Sequence, residues 1–331
     1  MKLHEVISYS NYRDELLSLV DNALHDTVAS IGEIFYQQYS NQKLISYDDF
    51  YLFLDKTLLR ILKNNIIKKF RYFTKHILNM ELADTLEIQF SKNLTVPGQA
   101  SNTEILLNID LLDAILENLK NSITQELFNQ NDFDETNTIH NIQRAYKTIK
   151  SIKFKSPIYK ISNSVAKLIY VFIHELVHMQ QDLKQNKQSK EYRSYLTNDQ
   201  QIFNKAIDSI MSGKRDKNDL KLYLSSPQEI SAYANEAVLY ILHELIEDNI
   251  NYASIEDIKF YLKRLSIFIK NGNFMKEEYY SSIMANYASY FDKTNYSEYK
   301  IFKRFYKLVG KLLLNYRDNL KQLLDKKQEL Q

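Results

Sequence analysis

The chain has 331 residues, 44% of them hydrophobic and 25% charged, with a formal net charge of +2. This is enough apolar material for one large core or two smaller ones, and too little net charge to argue for a nucleic-acid partner. Cysteine is absent, which excludes disulfides and thiolate metal sites, and the scarcity of Gly (5) and Pro (3) points to helices joined by short polar connections.

The first residues, Met1-Lys2-Leu3-His4-Glu5, lack the apolar run of a signal peptide. The longest uncharged apolar run in the chain is far too short to cross a bilayer. A cytoplasmic protein without a transmembrane segment or membrane partner is expected.

Residues 12–39 and 47–80 carry apolar side chains at three- and four-residue spacing, among them Leu16, Leu19, Val20 and Ala23, then Phe53, Leu54, Leu58, Leu59 and Leu62. Two helices are expected there. Lys63, Lys68, Lys69, Arg71 and Lys75 make a basic segment, read as a solvated helix face in preference to a nucleic-acid surface. Leu86-Glu87-Ile88-Gln89-Phe90 then alternates with period two, as a half-buried strand does. A turn signal over 96–102 precedes a second strand over 104–109, read as the edge of a small sheet. Asp110 is expected to cap a helix over 111–119. A polar loop over 129–138 and a helix over 139–152 follow, and the next helix begins near Ser162 or Ser164.

That next helix carries His174-Glu175-Leu176-Val177-His178, one H-E-x-x-H in a chain with 7 histidines. A chain of this composition holds the pattern by accident roughly 0.01 times. On a helix the two histidines lie on one face, one turn apart, where both imidazoles reach a single metal ion. Glu175 lies beside them, placed to take a proton from a metal-activated water. Val165, Leu168, Ile169, Phe172, Leu176, Met179 and Leu183 form an apolar face, so most of the helix circumference is expected to be buried. A glutamate buried there is costly unless something pairs with it.

Polar stretches over 185–190 and 213–219 read as loops. Ser226 is the expected N-cap, with Pro227 in first position, of a helix over 228–248. The chain is expected to be helical from residue 255 onward. A last amphipathic helix over 299–324 has Phe302, Phe305, Val309, Leu312, Leu313, Tyr316 and Leu320 inside and Lys303, Arg304, Lys307 and Lys311 outside. The fold class is mainly α with a small β-sheet (α+β), in three regions: N-terminal helices (1–82), a core (83–250) and C-terminal helices packed on it (251–331).

A catalytic zinc site takes three protein ligands and keeps one open position. No third histidine follows His178 at metzincin spacing. Glu229, in the first turn of the helix after Pro227, is the leading third ligand, and Ala232, Ala234 and Ala237 would let that helix pack closely. Glu236, seven residues on, shares its face and is the competitor, as ligand or as support to a ligand. Tyr233 is on the same face, either as a donor to a substrate oxyanion or as a core residue.

The set resembles the gluzincin-like H-E-x-x-H metallopeptidases, particularly small peptidases encoded by bacteriophages and related elements. The resemblance rests on Ile105-Leu106-Leu107-Asn108-Ile109, on His174 to His178, and on Pro227-Gln228-Glu229-Ile230-Ser231-Ala232-Tyr233-Ala234. It covers residues 86–240, and the second acid of the downstream pattern is Ser231 here. It implies a zincin-like catalytic core, Zn²⁺ on His174, His178 and Glu229, Glu175 as general base, and a peptide or protein substrate paired along the 104–109 strand. It also implies a setting in the host cytoplasm or the virion. The alternative is a structural or interaction protein that retains the metal site without peptidase activity, with its helical flanks available to a protein partner.

Overall fold

The computed structural model describes residues 13–78, 85–94, 96–101, 103–128, 138–152, 162–192, 216–245 and 254–329. The protein is mainly helical, with two small β-sheets, of two and three strands, among the described residues. It forms two compact units, one of residues 14–99 and 103–169, the other of residues 1–13, 100–102 and 170–331. The boundary at Ile169 falls inside the helix that carries the H-E-x-x-H motif.

The unit holding residues 14–99 is built on α1 (Arg13–Tyr39) and α2 (Tyr47–Tyr72). Leu16, Val20, Ala23, Leu24, Ile31 and Phe35 of α1 are buried, as are Phe50, Leu54, Leu58, Leu62, Ile66 and Phe70 of α2. The 3.6-residue period of the sequence becomes two apolar stripes, and Phe35 meets Phe50 edge-on at 5.4 Å. Ser46 caps α2 by accepting the Asp49 amide, and a single π-helical turn (Phe73–Ile77) ends it. Residues 79–84 lie outside the described residues.

Strands β2 (Glu87–Ser91) and β4 (Glu104–Asn108) pair in parallel, with Ile88 opposite Ile105 and Phe90 opposite Leu107. These four side chains are buried and their neighbours face outward, as the period-two pattern requires. β3 (Gly98–Ala100) pairs along the other side of β4, giving the order β2-β4-β3. The strand expected at the sheet edge is therefore its centre, with both sides of its backbone already paired. A two-residue bridge, β1 (Ile45–Ser46) with β5 (Thr138–Ile139), had no periodic signature because it is too short to show one.

The helix after β4 also starts differently from expectation. Asn108, and not Asp110, accepts an amide, that of Asp110 itself, and a 3₁₀ turn (Ile109–Leu112) leads into α3 (Asp113–Phe128). Asn108 also donates to the Leu94 carbonyl at 3.1 Å, so its amide ties strand end to turn with both of its polar ends. α4 (Ile142–Ser151) is capped by Asn141 and lies against α1, where a Cβ on Gly32 would stand 3.3 Å from the Ile149 and Lys150 side chains and where Glu33 accepts from Tyr146 and Lys150.

α5 (Ser162–Tyr192) carries the motif and continues through 185–190, the stretch expected as a loop. Gln, Lys and Glu are good helix formers and the stretch holds no Gly or Pro, so polarity alone did not break the helix. The unit holding residues 170–331 continues with α6 (Lys217–Leu224), α7 (Pro227–Leu245), α8 (Ile255–Lys270), α9 (Ser281–Tyr290) and α10 (Tyr296–Glu329). Helix α6 begins inside the stretch 213–219 expected as a loop, with Asp216 as its cap; residues 129–137, 213–215 and 246–248 lie outside the described residues. All seven apolar positions expected for α10 are buried, and they share one cluster with Ala237, Val238 and Ile241 of α7 and Tyr261 and Leu265 of α8. No helix among the described residues is long and apolar enough to cross a membrane.

Phe305 sits in this cluster at 1% exposure, against Tyr280 and Tyr287 at 5.6 and 5.7 Å. Phe305→Ala is expected to cost about 3–5 kcal/mol by urea unfolding. The exposed neighbour Lys307→Ala should stay within about 0.5 kcal/mol of the parent.

Candidate metal centre

From Leu168 to Val177 every residue of α5 is buried, because both the helical stripe and the residues between its positions are apolar. The polar exceptions are His174 at 9% and Glu175 at 6% exposure. α7 runs antiparallel beside this stretch. The Tyr170 hydroxyl donates to the Leu239 carbonyl at 3.0 Å, Tyr233 stands edge-on to the His174 ring at 4.7 Å, and Glu229 meets His178. Buried Ala232, Ala234 and Ala237 keep α7 slim enough for this approach.

Ser226-Pro227-Gln228-Glu229 spells a capping box, in which the glutamate would reach back to the serine amide. Only half of it forms. The Ser226 hydroxyl accepts the Glu229 amide at 3.1 Å, while the Ser226 amide donates to the Tyr223 carbonyl. The Glu229 carboxylate turns instead towards the histidines.

There His178 Nε2 lies 3.0 Å from Glu229 Oε1 and 3.1 Å from His174 Nε2, and His174 Nε2 lies 3.7 Å from Glu229 Oε2. One donor atom from each of the three residues falls within 4.8 Å of the others. Two imidazole and one carboxylate ligand around zinc, at bonds of about 2.0–2.1 Å, would stand about 3.3–3.4 Å apart in a tetrahedron. The donor set therefore fits a divalent cation in both chemistry and spacing. A second observation agrees: Glu229 Oε2 is buried without a hydrogen-bond partner, and a bound cation would satisfy it.

Electrostatics in the metal-free site follow from this crowding. Burial alone would push the His174 pKa down, but Glu229 and then Glu236 outweigh it and hold the imidazole well above its ordinary value. Burial likewise opposes ionisation of Glu229, yet His178 and His174 bring its carboxyl well below the usual range. Glu175 goes the other way. Burial raises its pKa, the two histidines only partly offsetting it, and its carboxylate has no hydrogen bond or ion pair among the described residues.

The structure thus brings together His174, Glu175, His178, Glu229 and Tyr233. Glu236 lies on the opposite side of the His174 ring, its Oε2 3.4 Å from Nδ1 without the geometry of a hydrogen bond, and it does not join the three-donor cluster. Tyr233 packs on the ring of His174 and in turn on Tyr287 at 5.8 Å. Tyr223 of α6, hydrogen-bonded to Glu229, was not singled out from the sequence, where nothing but its position four residues before Pro227 marks it.

Compared with known protein-family models, curated proteins and solved structures, the chain matches none.

A divalent cation should bind once per chain and raise the melting temperature. At a hundredfold excess over Kd the gain is about 2.7 kcal/mol. Elemental analysis and thermal melts should show both effects lost in His178→Ala and Glu229→Ala. Ser226→Ala should cost about 1 kcal/mol through the lost cap, with metal still bound.

Proposed function

We propose that the protein is a zinc-dependent peptidase whose metal ligands are His174, His178 and Glu229. The observation that carries this reading is the buried convergence of two Nε2 atoms and one carboxylate, with Glu175 between the two histidines on the same helix. Zinc bound there would supply Lewis acidity towards a carbonyl and lower the pKa of a water molecule.

The remaining roles belong to side chains. Glu175 accepts the proton of the attacking water and delivers it to the leaving amine. Glu236 orients the His174 ring through Nδ1, and Tyr223 steadies the Glu229 carboxylate. Tyr233, with its ring on His174, is the candidate donor to the developing oxyanion; burial, and then the Glu229 charge, raise its hydroxyl pKa, so it stays protonated. The substrate class is a peptide or protein. A substrate strand pairing along β4 forms no part of this reading, since β4 lies inside its sheet.

A metal site serving stability alone is the competing reading. Such sites usually close with four protein ligands, and three gather here among the described residues. A site of that kind also gives Glu175 no task.

Glu175→Gln should keep its zinc and lose about 10²–10⁴ in the rate of hydrolysis of an unfolded protein substrate such as casein. Metal analysis and a fluorescent casein assay on the same sample read both quantities. Undiminished cleavage by the zinc-loaded variant sinks the role of Glu175. A zinc-loaded parent protein that cleaves neither casein nor a peptide library favours the stability-only site.

A further inference from the structure

The unit holding residues 14–99 has a cleft of its own. It has a volume of about 720 Å³ and is lined by Leu19 of α1, by Lys68, Lys69, Arg71 and Tyr72 at the end of α2, by Lys75 and His76 of the π-turn, and by Thr85 and Glu87 at the start of β2. Its size falls in the range of small-molecule sites, about 300–1,000 Å³.

Lysines and arginines at a helix C-terminus are common, because they meet the negative end of the helix dipole. That accounts for the charges but not for what surrounds them. Four cationic side chains face one carboxylate, Glu87, among the described lining residues. Lys69 is held by Asp26 at 2.8 Å, whereas Lys68 and Arg71 form no ion pair among the described residues. A concave wall with this excess of positive charge suits an anion, and a guanidinium beside ammonium groups suits a phosphate.

The aromatic pair is the second observation. Tyr72 is 49% exposed and lies 4.8 Å from the His76 ring at a tilt of 36°. The π-turn that carries His76 is a rare conformation that occurs preferentially at functional sites. Exposed aromatic rings beside cations are a means by which proteins stack a nucleobase next to its phosphates. Glu87 offers an acceptor for a hydroxyl or amino group on the same ligand.

We propose that this cleft binds a small phosphorylated molecule with a flat ring, of the mononucleotide class. Lys68 and Arg71 take the phosphate groups and Tyr72 with His76 takes the ring. Extent favours a small ligand over a nucleic-acid strand. Residues 68 to 75 span about 10 Å of helix, the length of one nucleotide with its phosphates and not of a strand track. The proposal is independent of the metal centre, which shares none of these residues.

Isothermal titration calorimetry on the full chain tests it, with adenosine diphosphate, inorganic pyrophosphate and a single-stranded oligonucleotide as separate probes. The expected result is saturable binding of the diphosphate and of pyrophosphate. Arg71→Ala should weaken both by about tenfold or more. Tyr72→Ala should weaken the nucleotide by about fivefold or more and leave pyrophosphate unchanged. Both residues are on the surface, and circular dichroism with unaltered zinc content verifies that each variant is folded. No binding of either small probe at about 5 mM overturns the proposal. So does binding that Arg71→Ala leaves intact, and so does oligonucleotide binding without binding of the small probes, which would make the cleft part of a strand track.

Discussion

A buried carboxylate between two imidazoles governs the unit that holds the candidate metal centre. Glu229 is 2% exposed, and a lone anion at such a place costs several kcal/mol. Three features of the chain compensate it. His178 and His174 stand at 3.0 and 3.7 Å, Tyr223 hydrogen-bonds to it, and its own amide is fixed by the Ser226 cap at the positive end of α7. Each comes from a different stretch of chain, so α5, α6 and α7 are tied to one another through a single side chain.

Precision at such a site depends on the rigidity of its supports. α7 presents Glu229, Tyr233 and Glu236 on one side and gives Ala237, Val238 and Ile241 to the cluster formed with α8 and α10. Tyr233 then links the two, touching His174 on one side and Tyr287 on the other. The long apolar stripe of α10 therefore bears on the metal centre without approaching it. It holds in place the helix from which the candidate third ligand projects, and tolerances for metal ligands are about 0.5 Å.

Much of this was legible in the sequence where the signal was repeated. Helical period over many residues gave α1, α2, α5 and α10, and every apolar position named for α10 is inside. Ser226 and Pro227 marked the start of α7 because a cap and a fixed φ act locally. The histidine pair and Glu229 were readable because i,i+4 spacing and a first-turn acid are local too. What escaped depends on partners distant in sequence. Whether β4 is edge or centre is decided by β3, not by its own residues. Asn108 displaced Asp110 as the cap because a 3₁₀ turn intervened, and Tyr223 reaches Glu229 only after α6 has folded against α7. The separate role of Glu236 also needed coordinates, since sequence spacing puts it on the same face as Glu229 and says nothing of which imidazole nitrogen it meets.

Glu175 remains the residue that packing does not explain. It is 6% exposed, near two other carboxylates, and has no hydrogen bond or ion pair among the described residues. Leucine or methionine would fill the same volume without the desolvation of a carboxyl group. Burial raises its pKa, which weakens the charge but leaves a polar group without a hydrogen-bond partner among the described residues. Folded proteins keep such groups where the chemistry of a site, and not its stability, requires them. A carboxyl group of this kind, one residue from His174 and three from His178, has an evident use only when a water molecule is to be deprotonated beside the metal ligands. That asymmetry, a cost to the fold with one evident chemical use, is what favours the proposed hydrolytic reading over a metal clasp.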